Sequence, residues 1–304
     1  MTLVTTLISA ARKIQPGNTP GTLASQGRFV LAGLGERDLV GKMLNPAPGT
    51  ALERIMAERP QLLGALVWPY QCANWGVHDR LSRIIGHYLA LDDLGASFRF
   101  SVDERLILAK LDDLQEGMML VIDQPEWFLR EGGLTMSLFL GSFRAFSVAF
   151  SLFRMPDGRL SATIGGVQGR NREDMLDTYR DLTKELHGLR PRDFLIEACR
   201  ILCRQLNVEI LHAVSESARH QRHPYFRNKL SNSQNYDTIW QDRGGISVSP
   251  DFFELPVLPA RRDLATLKPG KRPMYRRRFE FLDALEAEIA ANLPAMRPVR
   301  FADS

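Results

Sequence analysis

The 304 residues are 44% hydrophobic and 24% charged, the balance of a globular chain rather than a disordered or collagen-like one. Thirty-nine Lys and Arg against 35 Asp and Glu leave a formal charge of +4, too small an excess to imply nucleic acid. Three cysteines make no disulfide framework, and Cys199 and Cys203, four apart on one helix face, read as core packing. No apolar run reaches the roughly 20 residues that span a bilayer. Met1 to Lys13 lacks a basic leader, so a reducing cytoplasmic location is expected.

Taken in order, residues 1–50 are punctuated by Pro16-Gly17, Pro20-Gly21 and Asn45-Pro46-Ala47-Pro48-Gly49, which predicts short helical pieces between turns. Thr50 and Glu53 form a capping box for a helix ending before Pro60. Val77, Leu81, Ile84, Ile85, Tyr88 and Leu89 predict an amphipathic helix closed near Gly95. His78 and His87 fall on its opposite faces and read as surface or capping histidines. From Ser97 the period changes to two. Phe98 and Phe100 alternate with polar neighbours, Met119 to Ile122 is a short candidate, and half-buried strands are predicted at about 134–140, 145–153 and 160–167. Asp157-Gly158 is a hairpin signal that makes the last two antiparallel.

Gly165-Gly166-Val167-Gln168-Gly169-Arg170-Asn171 then breaks the pattern. It reads as a turn at the carboxyl end of a strand, with Asn171 as N-cap of the next helix. Such a turn leaves backbone N–H groups free for an anion. Its alternative is a tight turn needing left-handed residues. Helices follow, one ended by His187-Gly188 and one begun at Pro191, before a buried strand over 208–214. The strand returns parallel by a right-handed crossover. His212, His220 and His223 match no zinc spacing, so no metal site is expected. Tyr225, Phe226, Tyr236 and Trp240 are expected to pack the sheet edge. Lys271, Arg272, Arg276 and Arg277 precede an amphipathic helix. They read either as a solvated face or as a phosphate-binding patch on a nucleotide cofactor or lipid head group.

The expected fold is α+β or α/β. A mostly antiparallel mixed sheet with a β-α-α-β crossover forms a domain over 96–304, preceded by a helical subdomain or cap over 1–95.

Several segments together resemble the bacterial VirK/YbjX family: Trp68-Pro69-Tyr70, Gly86-His87-Tyr88, Arg130-Glu131-Gly132, Ile164 to Gly169, Leu186 to Pro191, Tyr236 to Trp240, Leu255-Pro256 and Lys271 to Arg278. The resemblance covers most of the chain from Trp68 onward and implies a link to virulence and envelope modification, with no catalytic residues to carry over. Gln168-Gly169-Arg170-Asn171 after a strand also resembles the acyl-CoA turn of the GCN5-related N-acyltransferase fold. It departs from that pattern in lacking a second glycine after Gly169 and in having two helices in the crossover.

These likenesses imply an acyltransferase acting on an amine or hydroxyl of a small or lipid-like substrate, with acyl-CoA as co-substrate and no tightly bound cofactor. Gly165, Gly166, Gln168, Gly169, Arg170 and Asn171 would hold the donor, and Glu131 or His212 would move the proton. The other reading is a non-enzymatic envelope or virulence factor whose basic tail holds an anionic membrane surface or a protein partner. The oligomeric state is left open.

Overall fold

A computed structural model describes residues 2–170, 175–226 and 235–300. Five helices come first: α1 (Leu3–Ile14), α2 (Pro20–Gly35), α3 (Arg37–Leu44), α4 (Ala51–Glu58) and α5 (Val77–Leu94). Strands β1 (Glu104–Lys110), β2 (Met118–Asp123), β3 (Leu134–Leu140), β4 (Phe143–Arg154) and β5 (Leu160–Gly169) follow. Helices α6 (Met175–Glu185) and α7 (Pro191–Gln205) lead to β6 (Ile210–Val214) and α8 (Tyr236–Asp242). The short strands β7 (Ile246–Ser247) and β8 (Phe252–Leu255), helix α9 (Arg272–Asn292) and β9 (Val299–Arg300) complete the order.

Among the described residues one nine-stranded sheet forms, in the order β7-β8-β6-β5-β4-β3-β2-β1-β9. Its only parallel pair there is β5 with β6, the expected crossover. The expected antiparallel succession β3-β4-β5 is present, and Met155 and Arg159 close the Asp157-Gly158 hairpin with Gly158 at φ 89°. Local chemistry sets most boundaries. Thr50 Oγ accepts from the Glu53 N–H, while the Glu53 carboxylate reaches past Thr50 to the Gly49 N–H, a capping box displaced by one residue. His187 and Gly188 take positive φ and end α6, with the Gly188 N–H returned to the Thr183 carbonyl.

Paired residues share a face, so the register sorts the central strands into two surfaces. One is oily: Leu134, Met136 and Leu138, with Val148, Phe150, Leu152, Ala162 and Ile164. The other holds small polar groups: Thr135, Ser137, Ser147, Ser151, Thr163 and Ser161. The sequence reading made this second face solvent-facing. It is buried instead: helix α5 packs on β4, and Tyr70 from the segment before that helix reaches Ser151. The hydroxyls are satisfied locally, Ser137 with Ser147 at 2.8 Å and Ser151 with Tyr70 at 2.7 Å.

Several expectations are corrected. Ser97 to Phe100 is a 3-10 turn and loop, and the first strand lies at Glu104–Lys110. His87 is fully buried, and its Nδ1 accepts the Leu152 N–H at 3.0 Å where β4 has outrun β3. Tyr236 and Trp240 are buried rather than marginal, and the Tyr236 hydroxyl meets both the N–H and the carbonyl of Val167 in β5. Residues 165–169 form no turn. They continue β5, paired with β4 up to Gly169, and none has a positive φ. The helix-capping role expected of Asn171 lies outside the described residues.

Candidate functional site

Two carboxylates are buried against the polar face of the sheet: Asp123, which is paired with Arg144 and Arg105, and Glu131, which has no arginine ion pair of that kind among the described residues. A 3-10 turn over Glu126–Phe128 ends with the Glu131 and Gly132 N–H groups returned to the Phe128 carbonyl. The chain then dives into β3 through Gly132 and Gly133. A Cβ on Gly132 would strike the Phe150 backbone, and one on Gly133 would overlap the His87 ring. Gln71, at φ 52°, donates its backbone N–H to Arg130 and its amide to the carbonyls of Glu131 and Thr163. A left-handed non-glycine residue is held there by its contacts and marks local strain.

Gly165 and Gly166 in β5 are explained by Glu131. A Cβ on Gly166 would overlap Glu131 Oε2, and one on Gly165 would overlap the Glu131 carbonyl oxygen. Gly165 also sits in the irregularity between β4 and β5, where the ladder skips from Ile164 to Gly166. Gly165 and Gly166 therefore serve close approach to Glu131, while a Cβ on Gly169 would strike the Phe146 ring and the Tyr179 hydroxyl. Gly166 and Gly169 pair with β4 in the sheet ladder, while Gly165 is the residue it skips.

Glu131 Oε1 accepts from the Gln168 amide and from Gln221 at 3.1 Å, whereas Oε2 is buried without a hydrogen-bond partner. His220 Nε2 lies 3.8 Å from Oε1, and its Nδ1 is also buried without a partner. Burial is the largest influence on both. It pushes the Glu131 carboxyl up to about 8 against the pull of Arg219, Gln168 and Gln221. It pulls the His220 imidazole down to about 3, with Arg130 and Arg219 repelling the added charge. At neutral pH the pair is thus a protonated acid beside a neutral imidazole.

Two hollows flank the pair. The first, about 520 Å³, lies between the N-terminal helices and the sheet; His220 lines it together with Trp68, Trp127, Tyr225, Leu129 and Arg130. The Arg130 guanidinium stands over the rings of Trp68, Tyr225 and Phe226 at 5.3–5.4 Å. The second, about 470 Å³, is shallower and is lined by Gln168, Gly169, Arg170, Phe146, Arg144 and Trp127. Glu131 therefore reaches one hollow through His220 and the other through Gln168. Trp127, 68% exposed, borders both.

The family described as "Protein of unknown function (DUF535)" matches residues 21–291. The chain belongs to the DUF535 family. It is 30% identical over 252 residues to the uncharacterized protein YbjX of Escherichia coli, covering 79% of this chain and 74% of that one. An uncharacterized Haemophilus influenzae protein is 33% identical over 130 residues, 43% of each chain. Another from the same organism is 29% identical over 146 residues, 48% of this chain and 47% of its own. The VirK/YbjX resemblance is thereby borne out. No solved structure matches the chain, and the likeness to the GCN5-related fold finds no support.

The expected site residues of this DUF535 chain separate into three places. Glu131, Gly165, Gly166 and Gln168 meet, with Gly169 and Arg170 at the rim. The imidazole brought to Glu131 is His220, not His212. His212 sits in β6 opposite Glu254, 4.0 Å from its carboxylate, and packs on Phe252. Lys271, Arg272, Arg276 and Arg277 lie on or next to the first turns of α9 and line neither hollow. Arg272 is committed to the carbonyls of Leu267 and Ala265, while Arg276 and Arg277 are exposed. Sequence reasoning missed Gln71, Gln221, Tyr236 and His220 as parts of the site. For His220 the one available signal was its place in a polar stretch directly before aromatics. No described helix is long and apolar enough to cross a membrane.

Proposed function

We propose that this DUF535 chain is an enzyme that transfers an acyl group from a carrier such as acyl-CoA to an amine or hydroxyl acceptor, with Glu131 and His220 handling the proton. The observation that carries this reading is a buried carboxyl with its acidity shifted to about 8, beside an imidazole that lines an aromatic hollow. A group is most effective as acid or base when it titrates near the working pH. Perturbed carboxyls beside clefts are more often functional than structural.

The acceptor lone pair would attack the acyl carbonyl, forming a C–N or C–O bond as the C–S bond of the carrier breaks. With Glu131 ionised, as it becomes above its midpoint, the proton released by the acceptor would pass through His220 to Glu131 and then to the departing thiolate. In this reading the transfer is direct, without an acyl-enzyme. Trp68, Tyr225 and Leu129 offer an apolar wall for an acyl chain, and Arg130 a cation for an anionic substituent.

The test is thiol release from a panel of acyl-CoA donors with amine and hydroxyl acceptors, across pH. Glu131→Gln should lower kcat by roughly 10²–10³ with KM little changed, and the rate of the unaltered chain should rise through a midpoint near 8. Full activity in Glu131→Gln would sink the proposal. The competing reading, an envelope factor held to anionic lipid by Lys271, Arg276 and Arg277, rests on the exposure of those side chains. It would be favoured if Arg276→Gln/Arg277→Gln abolished binding to anionic vesicles at low salt while no acyl donor was turned over.

A further inference from the structure

A hollow of about 530 Å³ opens where α7, the end of α8, the segment after β8 and α9 come together, and it shares no lining residue with the two beside Glu131. Six arginines line it, Arg200, Arg204, Arg243, Arg261, Arg262 and Arg278, against three carboxylates, Glu197, Asp242 and Glu286. Four of the six are tethered. Arg200 Nη1 donates to Glu197 at 2.8 Å, and Arg204 grips Glu286 with two bonds of 2.7 Å. Arg243 lies 3.5 Å from Asp193, and Arg261 pairs with Asp283. Arg278 points its fork at the His187 carbonyl, at 3.1 and 3.0 Å, which leaves its charge without a carboxylate. Arg262 is exposed and forms no ion pair among the described residues.

The buried members are underused as donors. Arg200 is 1% exposed, yet its Nε–H has no acceptor, and the Nε–H of Arg243 has none either. Leaving such a donor unsatisfied costs about 1–3 kcal/mol, more for a charged group, so an acceptor oxygen delivered here is strongly favoured. Guanidinium forks match the oxygens of phosphate, and Leu258, Tyr275, Phe279 and Leu282 supply an apolar wall beside them.

We propose that this arginine-lined groove binds a phosphate group carried on an apolar body, the phosphate meeting Arg200, Arg243, Arg262 and Arg278 and the body lying along Leu258, Phe279 and Leu282. The site differs from the exposed Lys271, Arg276 and Arg277, none of which lines the groove.

The experiment is calorimetric titration of the full chain at about 0.15 M salt with octyl phosphate, with inorganic pyrophosphate and with phosphatidic acid vesicles. Octyl phosphate should bind with Kd of roughly 0.1 mM or tighter. Arg262→Gln and Arg278→Lys should each weaken that binding about tenfold, the size of one lost charge-assisted contact. Arg276→Gln/Arg277→Gln should leave it within about twofold, since exposed charges outside a groove are well screened. Because Arg262 is exposed, its variant reads the groove even where Arg278→Lys fails to fold. Tighter binding of octyl phosphate or vesicles than of pyrophosphate supports the proposal, and the reverse overturns its apolar body and leaves a soluble phosphate as the ligand. Failure of all three probes to bind overturns it. So does an undiminished affinity in Arg262→Gln, or an equal loss in Arg276→Gln/Arg277→Gln.

Discussion

Gly166→Ala will destabilise the chain by roughly 3 kcal/mol, lowering Tm by about 5–10 °C, and Glu131→Ala will recover more than half of that loss. The new methyl overlaps Glu131 Oε2 and Cδ, and only the Glu131 Cβ, at 3.0 Å, remains against it once the carboxyl is gone. The pair therefore couples strongly in a double-mutant cycle. Gly165→Ala is the control with the larger effect. Its Cβ overlaps the Glu131 carbonyl oxygen, a backbone atom that no substitution at 131 removes, so Glu131→Ala will not rescue it. Denaturant titration of the five variants, the three single substitutions and the two doubles with Glu131→Ala, decides the matter. Normal stability in Gly166→Ala, or rescue of Gly165→Ala, would contradict the packing described.

Stability will also fall as pH rises from about 6.5 to 8, and Glu131→Gln will abolish that fall. The folded chain holds the Glu131 proton up to about pH 8, whereas the unfolded carboxyl releases it near 4.5. A group raised on folding contributes fully below the unfolded value and loses its contribution as pH climbs through the folded one. The slope approaches ~1.4 kcal/mol per pH unit between those limits. His220 and His87, both depressed by burial to about 3, work in the opposite direction. Their contribution is complete above about 6.5 and is lost as pH drops toward 3, so between 4.5 and 6.5 the slopes oppose one another. The clean window is 6.5 to 8, where Glu131→Gln should gain on the parent chain by about 2 kcal/mol. Urea midpoints across that window, parallel for the two proteins, would refute the assignment.

The elements that sequence reasoning located are those specified by neighbours along the chain. Alternation over Leu134 to Leu152, the Asp157-Gly158 turn, the His187-Gly188 stop and Pro191 all act within a few residues. The polar rows of Ser137, Ser147 and Ser151 were legible as rows, but their burial was not, because what covers them, helix α5 and Tyr70 among it, comes from far earlier in the chain. The same limit explains the site. Glu131 is met by Gln71, Gln168 and Gln221, separated from it by 60, 37 and 90 positions. Gly165 and Gly166 were legible as glycines required by geometry. Whether that geometry was a left-handed turn or the clearance for a side chain depended on what faced them, and Glu131 comes from the turn before β3. Strands β7, β8 and β9, of two to four residues, are too short for a period to register.

The central claim, that Glu131 is a protonated acid at neutral pH inside a functional site, is measured directly by the carboxyl carbon resonance of 13C-labelled glutamate. Comparison of the parent chain with Glu131→Gln identifies the signal. A midpoint near 8, well above the other glutamates, is the predicted result. A midpoint at or below the ordinary value of about 4.5 would show an ionised, ion-paired carboxylate at Glu131 and contradict the account.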